Sequence, residues 1–240
     1  MVIDAKETFL VRPMNKKINS SKDGYVRINN CLGQRYLGAG AKNKKIDVYG
    51  TPGNALGAYL DGATITVYGN AQDAAGDTMN DGKIIINGCA GDALGYAMRG
   101  GKIFVKGNAG YRAGVHIKEY RDKKPIIVIG GAAGSFLGEY MAGGRIVVLN
   151  AENRENAVGN FTGAGMHGGK IFIRGENPPK NLPSQVKCEK LSSDDLSELK
   201  EILKEFANLT DISYNNLLSE EFTVIKPDTA NPYKTLYVSD

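Results

Sequence analysis

The residues best placed to do chemistry are two aspartates, two histidines, three cysteines and a recurring glycine phrase. Asp73 and Asp92 lie nineteen residues apart at equivalent points of that phrase. Such a pair could supply the acid and base of a carbohydrate-active site. Their series continues as Asn54, Tyr111 and Ser135, however, so no carboxylate cleft is built, and turn-forming Asx residues are the simpler account. His116 and His167 are too far apart in the repeat order to share a metal. Cys31, Cys89 and Cys188 contain no C-x-x-C pair, which argues against a disulfide framework or an iron–sulfur loop. The G-x-x-G-x-x-x-G phrase superficially resembles a phosphate-cradling loop. A dinucleotide fingerprint occurs once, between a strand and a helix, whereas this phrase recurs with no helix behind it. No catalytic, cofactor-binding or metal-ligating set is therefore expected.

The elements that carry these residues follow from one period. Ile46-Asp-Val-Tyr-Gly50, Ile65-Thr-Val-Tyr-Gly69, Ile84-Ile-Ile-Asn-Gly88 and Ile103-Phe-Val-Lys-Gly107 end on glycines nineteen residues apart. Related copies begin at Val26, Ile127, Ile146 and Ile171, giving eight. Isoleucine and valine two residues apart point to one side of a strand, and β-branched residues suit a pleated, half-buried surface. Two further columns flank the later glycine: Leu56, Ala75, Leu94, Ala113, Leu137, and Leu60, Met79, Met98, Ile117, Met141. Stacking repeats would bury all of them together. The expected fold is all-β, a single-stranded right-handed parallel β-helix of about eight rungs with three short strands per rung and a C-terminal helical extension. The expected division is a β-helix domain over 1–175 and a C-terminal helix and tail over 176–240, packed on the rod.

Glycine makes up 31 of 240 residues against a usual share of roughly 7%, as a turn in every repeat requires. The net charge of +4 is scattered, which argues against nucleic acid and membrane surfaces. Apolar runs such as Ile126–Ile129 fall far short of the ~20 residues of a membrane span, and Met1–Arg12 does not read as a signal peptide. The expected location is the cytoplasm.

The outward position between the paired core residues reads Asp47, Thr66, Ile85, Phe104, Val128, Val147, Phe172. An apolar strip of that length needs a cover, either the chain's own tail or a partner. Pro178, Pro179 and Pro183 end the repeats. A helix follows, with Ser192 as cap, Asp194 and Asp195 in its first turn, and a stripe of Leu196, Leu199, Ile202, Leu203 and Phe206.

With the repeat laid out, the sequence resembles the C-terminal GXGXG domain of the glutamate synthase large subunit. The resemblance rests on Ile28-Asn-Asn-Cys-Leu-Gly-Gln-Arg-Tyr-Leu-Gly38, Gly69-Asn-Ala-Gln-Asp-Ala-Ala-Gly-Asp77 and Gly107-Asn-Ala-Gly-Tyr-Arg-Ala-Gly114. It rests also on Glu139-Tyr-Met-Ala-Gly-Gly-Arg-Ile-Val-Val-Leu149 and Asn160-Phe-Thr-Gly-Ala-Gly-Met-His-Gly-Gly169. The chain departs from the family at Gly134–Gly138 and Val115–Lys118. Those departures leave room for a second group with the same repeat, a scaffold component of formylmethanofuran dehydrogenase. The resemblance implies a non-catalytic assembly subunit with no cofactor of its own. Its partners would be the amidotransferase and the FMN-binding synthase subunit, with FMN and an iron–sulfur cluster on the latter. It leaves self-association into a homo-oligomer open. The residues it offers for docking are Glu139, Tyr140, Asn160 and Phe161, and the uncovered strip adds Phe104 and Phe172.

Overall fold

A computed structural model describes residues 1–7, 10–175 and 179–228. Glu176 and Pro178 of the expected boundary, and the tail from 229 to 240, lie outside the described residues.

Eleven strands form one sheet, ordered β1-β2-β3-β4-β5-β6-β7-β8-β9-β11-β10. They are β1 (Val2–Asp4), β2 (Tyr25–Leu32), β3 (Lys45–Thr51), β4 (Asp61–Tyr68), β5 (Asp81–Ile86) and β6 (Lys102–Val105). The series continues with β7 (Ile126–Ile129), β8 (Ala142–Val148), β9 (Gly168–Arg174), β10 (Val186–Lys190) and β11 (Phe222–Pro227). From β1 to β9 each strand pairs in parallel with the next in sequence. The columns read from the sequence are register partners: Ile46 meets Ile65, Ile65 meets Ile84, and Ile84 meets Ile103.

The expected architecture needs correction. What the structure shows is a mostly parallel eleven-stranded sheet with a few helices, rather than a single-stranded parallel β-helix. Each repeat contributes one strand to the sheet, and the stretch between strands is mainly turn, linked to its neighbours by single bridges such as Ala71–Ala90 and Ala90–Ala109. The sheet ends on antiparallel pairs, β11 with β9 and β10 with β11. A constant period dictates parallel pairing at constant register, and it is silent about whether the intervening residues form further strands.

The main core lies between the strands and the turns. Ile46, Ile65 and Ile84 from the sheet and Leu56, Leu60 and Met79 from the turns belong to one buried cluster. At Gly114 the backbone is left-handed (φ +70°), and an added Cβ would sit 2.4 Å from the Ile146 Cδ1 that crosses the core to reach it. Glycine is needed there on both counts. Helix α1 (Val11–Ser20) closes the N-terminal end of this core with Met14 and Ile18. Pro13 falls in its first turn, where a missing N–H costs little. Asn15 fixes the helix by donating to Tyr36 O at 2.7 Å and accepting from Gly38 N at 2.9 Å.

Helix α2 (Ser193–Thr210) lies on the outside of the sheet, followed by the short α3 (Tyr214–Leu217). Ser192 and Asp195 make the reciprocal capping box that starts α2. Leu199, Ile202, Leu203 and Phe206 then bury against Ile85, Phe104, Val128, Val147 and Phe172. Leu196, expected in the same stripe, is 39% exposed instead.

The polar flank of α2 follows the strands. Lys83, Lys102, Ile126, Arg145 and Lys170 are successive register partners on β5 to β9. Asp195 pairs with Lys170 at 2.7 Å, and Glu198 with Lys170 at 2.9 Å and Arg145 at 2.7 Å. Glu205 pairs with Lys102 at 2.5 Å and Lys83 at 2.6 Å. A helix rises about 1.5 Å per residue and strands stand about 4.8 Å apart. A helix laid across strands therefore meets a new one about every three residues, which is the spacing of Asp195, Glu198, Ile202 and Glu205. Burial alone would push the Asp195 carboxyl up, but Lys170, Lys226 and Ser192 hold it well below the ordinary range. Glu198 and Glu205 are likewise lowered, their cations outweighing desolvation.

Candidate functional site

Each repeat carries a six-residue turn, the later ones spanning 92–97, 111–116, 135–140 and 160–165. The second, fourth and sixth residues take left-handed backbone, as at Arg112 (φ 57°), Gly114 and His116 (φ 57°). The hydrogen bonds alternate with them. Arg112 N donates forward to Ser135 O at 2.9 Å, Gly114 N donates back to Leu94 O at 2.7 Å, and His116 N donates forward to Glu139 O at 2.9 Å. Bulky residues at positive φ are strained by about 1–2 kcal/mol each, and bonds to both neighbouring turns hold them there.

Asp73 and Asp92 belong to this ladder. Asp73 Oδ1 accepts from Asp92 N at 2.9 Å, and Asp92 Oδ1 accepts from Tyr111 N at 2.8 Å. Both carboxylates are thus spent on backbone of the next turn, and no acid–base pair is formed. Cys89 Sγ accepts from Asn108 N at 3.4 Å in the same manner. Cys31 is buried, and that burial pushes its thiol up to about 11. Among the described residues no group of three or more His, Cys, Asp or Glu is placed to hold a metal.

Residue size changes along these columns. The second turn position is Tyr36, then alanine at 55, 74 and 93, then Arg112, Phe136 and Phe161. The sixth is Gly40, Tyr59, Thr78 and Ala97, then His116, Tyr140 and Gly165. The large side chains of the later turns stack. Phe136 and Phe161 lie 5.2 Å apart at 21°, with the Arg112 guanidinium 4.7 Å from the Phe136 ring centre. His116 and Tyr140 lie 5.1 Å apart at 11°, with Tyr96 edge-on to His116 at 5.9 Å. Arg112 Nε donates to the Glu139 carboxylate at 3.1 Å and ties the two stacks together. Asn160 N donates to Ser135 Oγ at 3.1 Å, and Asn160 Oδ1 accepts from Asn181 at 3.0 Å. Phe161 is 50% and Tyr140 39% exposed.

Four of the six expected docking residues, Glu139, Tyr140, Asn160 and Phe161, therefore share one edge. Arg112, His116 and Phe136 complete it and were missed; reading the second and sixth turn positions down the repeat finds them. Phe104 and Phe172 are elsewhere and fully buried beneath α2. The apolar strip is thus covered by the chain's own helix.

The sheet is built from repeats, and its turn edge carries stacked aromatic rings. The chain belongs to the GXGXG motif family, whose model matches residues 14–230. The likeness to the glutamate synthase GXGXG domain is borne out at this level. Aligned over 254 residues, the chain is 42% identical to an uncharacterized protein of Methanocaldococcus jannaschii, covering 100% of this chain and 97% of that one. It is also similar to a solved chain of the formyltransferase/hydrolase complex of Methylorubrum extorquens in complex with methylofuran. That likeness has a TM-score of 0.65 at 24% identity and covers 83% of this chain and 72% of the other. At that identity the likeness speaks for fold. Among the described residues no helix is long and apolar enough to cross a membrane.

Proposed function

We propose that the chain is a non-catalytic assembly subunit of a multi-subunit enzyme complex and docks through the aromatic turn edge. The observation that carries this reading is the contrast along one column: alanine through the three central turns, then Arg112, Phe136 and Phe161, stacked and held at left-handed backbone in the last three. Large apolar area at rigid positions binds with little ordering cost.

Within that reading, membership of the GXGXG family supports a glutamate synthase. The partners would then be an amidotransferase and a synthase subunit carrying FMN and an iron–sulfur cluster, with no cofactor on this chain. The fold likeness to a formyltransferase/hydrolase chain favours a second reading, a scaffold of formylmethanofuran-dehydrogenase type. Affinity capture of the tagged full chain from its native cell, followed by mass spectrometry, tests both. An amidotransferase with a flavin synthase supports the first, and formyltransferase-type subunits the second. A combined Tyr140→Ala and Phe161→Ala variant should lose at least tenfold of the captured partner while keeping its melting temperature. A chain that runs alone at native concentration would refute the docking role.

A further inference from the structure

The step from Gly107 to Gly131 is twenty-four residues instead of nineteen. The extra residues form a tight hairpin, in which Tyr120 and Lys123 exchange backbone hydrogen bonds at 3.1 Å. It folds back across the sheet's border, over Gly100, where an added Cβ would sit 3.2 Å from Lys123 Cβ. Lys123 Nζ thereby reaches Asp81 Oδ2 at 2.9 Å, forty-two residues earlier in the chain.

The hairpin walls a cavity of about 420 Å³ lined by Lys83, Lys102, Lys123, Lys124, Thr64 and Asp81. A second cavity of about 290 Å³ shares Lys123 and adds Arg99 and Arg121. Six cations and two carboxylates, Asp81 and Asp122, line the two cavities, while Glu205 pairs with two of the lysines and Glu198 and Glu201 line an adjoining cavity with Lys102 and Lys124. Glu205 serves Lys83 and Lys102 together, and Asp81 serves Lys123. Among the described residues, no carboxylate lies within ion-pair distance of Lys124, Arg99 or Arg121. Concave sites with one surplus sign concentrate counter-ions. The same row shows what its lysines accept, since Glu205 sits between two ammonium groups at 2.6 and 2.5 Å and Asp81 against one at 2.9 Å.

We infer that this groove is a binding site for a compact organic polyanion, a di- or tricarboxylate, with Lys124 and Lys123 as its main contacts. The site goes beyond the docking role and does not depend on it, because the isolated chain contains all of it. Isothermal titration of the full chain with citrate and with glutarate, in about 50 mM salt, tests it. One saturable site of about 1 mM or tighter is expected for at least one of them. Lys124→Gln should weaken it at least tenfold with an unchanged melting temperature, since Lys124 is exposed and unpaired. Lys180→Gln, which breaks the remote pair with Glu155, should leave it unaltered. No saturable binding, equal weakening by both variants, or binding of pyrophosphate without either carboxylate would each overturn the assignment.

Discussion

The outward face of the sheet has two halves built on the same ladder of hydrogen bonds. Over β2 to β4 its central row reads Arg27, Asp47, Thr66, and over β5 to β9 it reads Ile85, Phe104, Val128, Val147, Phe172. The second half is dry beneath α2. In the first, Tyr25 and Tyr68 are 40% and 45% exposed, Tyr49 stacks on Tyr68 at 4.5 Å, and Arg27 lies 4.2 Å from the Tyr49 ring centre. Asp47 is buried beneath this layer, and its Oδ1 has no hydrogen-bond partner among the described residues. Pairing of strands thus depends on the inward residues that both halves share. Whether a helix lands outside depends on the alternate row, one residue away in sequence.

Replacement at matched positions should break the comparison most sharply. Phe104→Ala should cost about 3–5 kcal/mol, because it empties a wholly buried contact with Phe206. Thr66→Ala, in the same row on the open half, should stay within about 0.5 kcal/mol. Denaturant unfolding of the two variants measures both. Equal losses would mean that α2 is not what stabilises the covered half. Next in size is Asp195→Asn, expected to cost about 2–3 kcal/mol, because Lys170 and Lys226 lose their carboxylate partner at a buried position.

Acid should separate the halves without mutation. Asp195, Glu198 and Glu205 have carboxyls lowered in the folded chain. Their stabilisation is therefore fully present above the ordinary values of 3.8 and 4.5 and is lost as pH falls through the lowered ones. Hydrogen exchange over 193–210 should hold steady from neutral pH to about 5 and rise, relative to β3 and β4, below about 4. The smallest effect belongs to Tyr25, whose phenol is raised chiefly by its hydrogen bond to Asp47. In Asp47→Asn its titration should move back toward the ordinary value of 10.0, followed by ultraviolet absorbance.

Much of this is legible as pattern. The inward columns, the start of α2 at Ser192 and the need for a cover over Phe104 and Phe172 all follow from spacing and polarity. Four features do not. The architecture departs from expectation because a nineteen-residue period describes one strand and its partner. The turns between strands depend on left-handed backbone that residue types such as Phe136 and Tyr140 do not advertise. Strands β1 and β10 and helix α1 carry no repeat signal, so periodicity passes over them. The aromatic edge needs register across turns as well as along strands, because Arg112, Phe136 and Phe161 lie twenty-four and twenty-five residues apart.

The match between the pitch of α2 and the separation of the strands bears on how such a chain can change in length. Inserting one more strand between β5 and β9 would displace every later lysine or arginine by about 4.8 Å, and each later acidic side chain of α2 would face the strand before its present partner. No comparable constraint acts between β1 and β4, where no helix among the described residues counts the strands from outside. Descendants of this chain should therefore gain or shed repeats at the amino-terminal side, with α1 travelling outward as the end-piece.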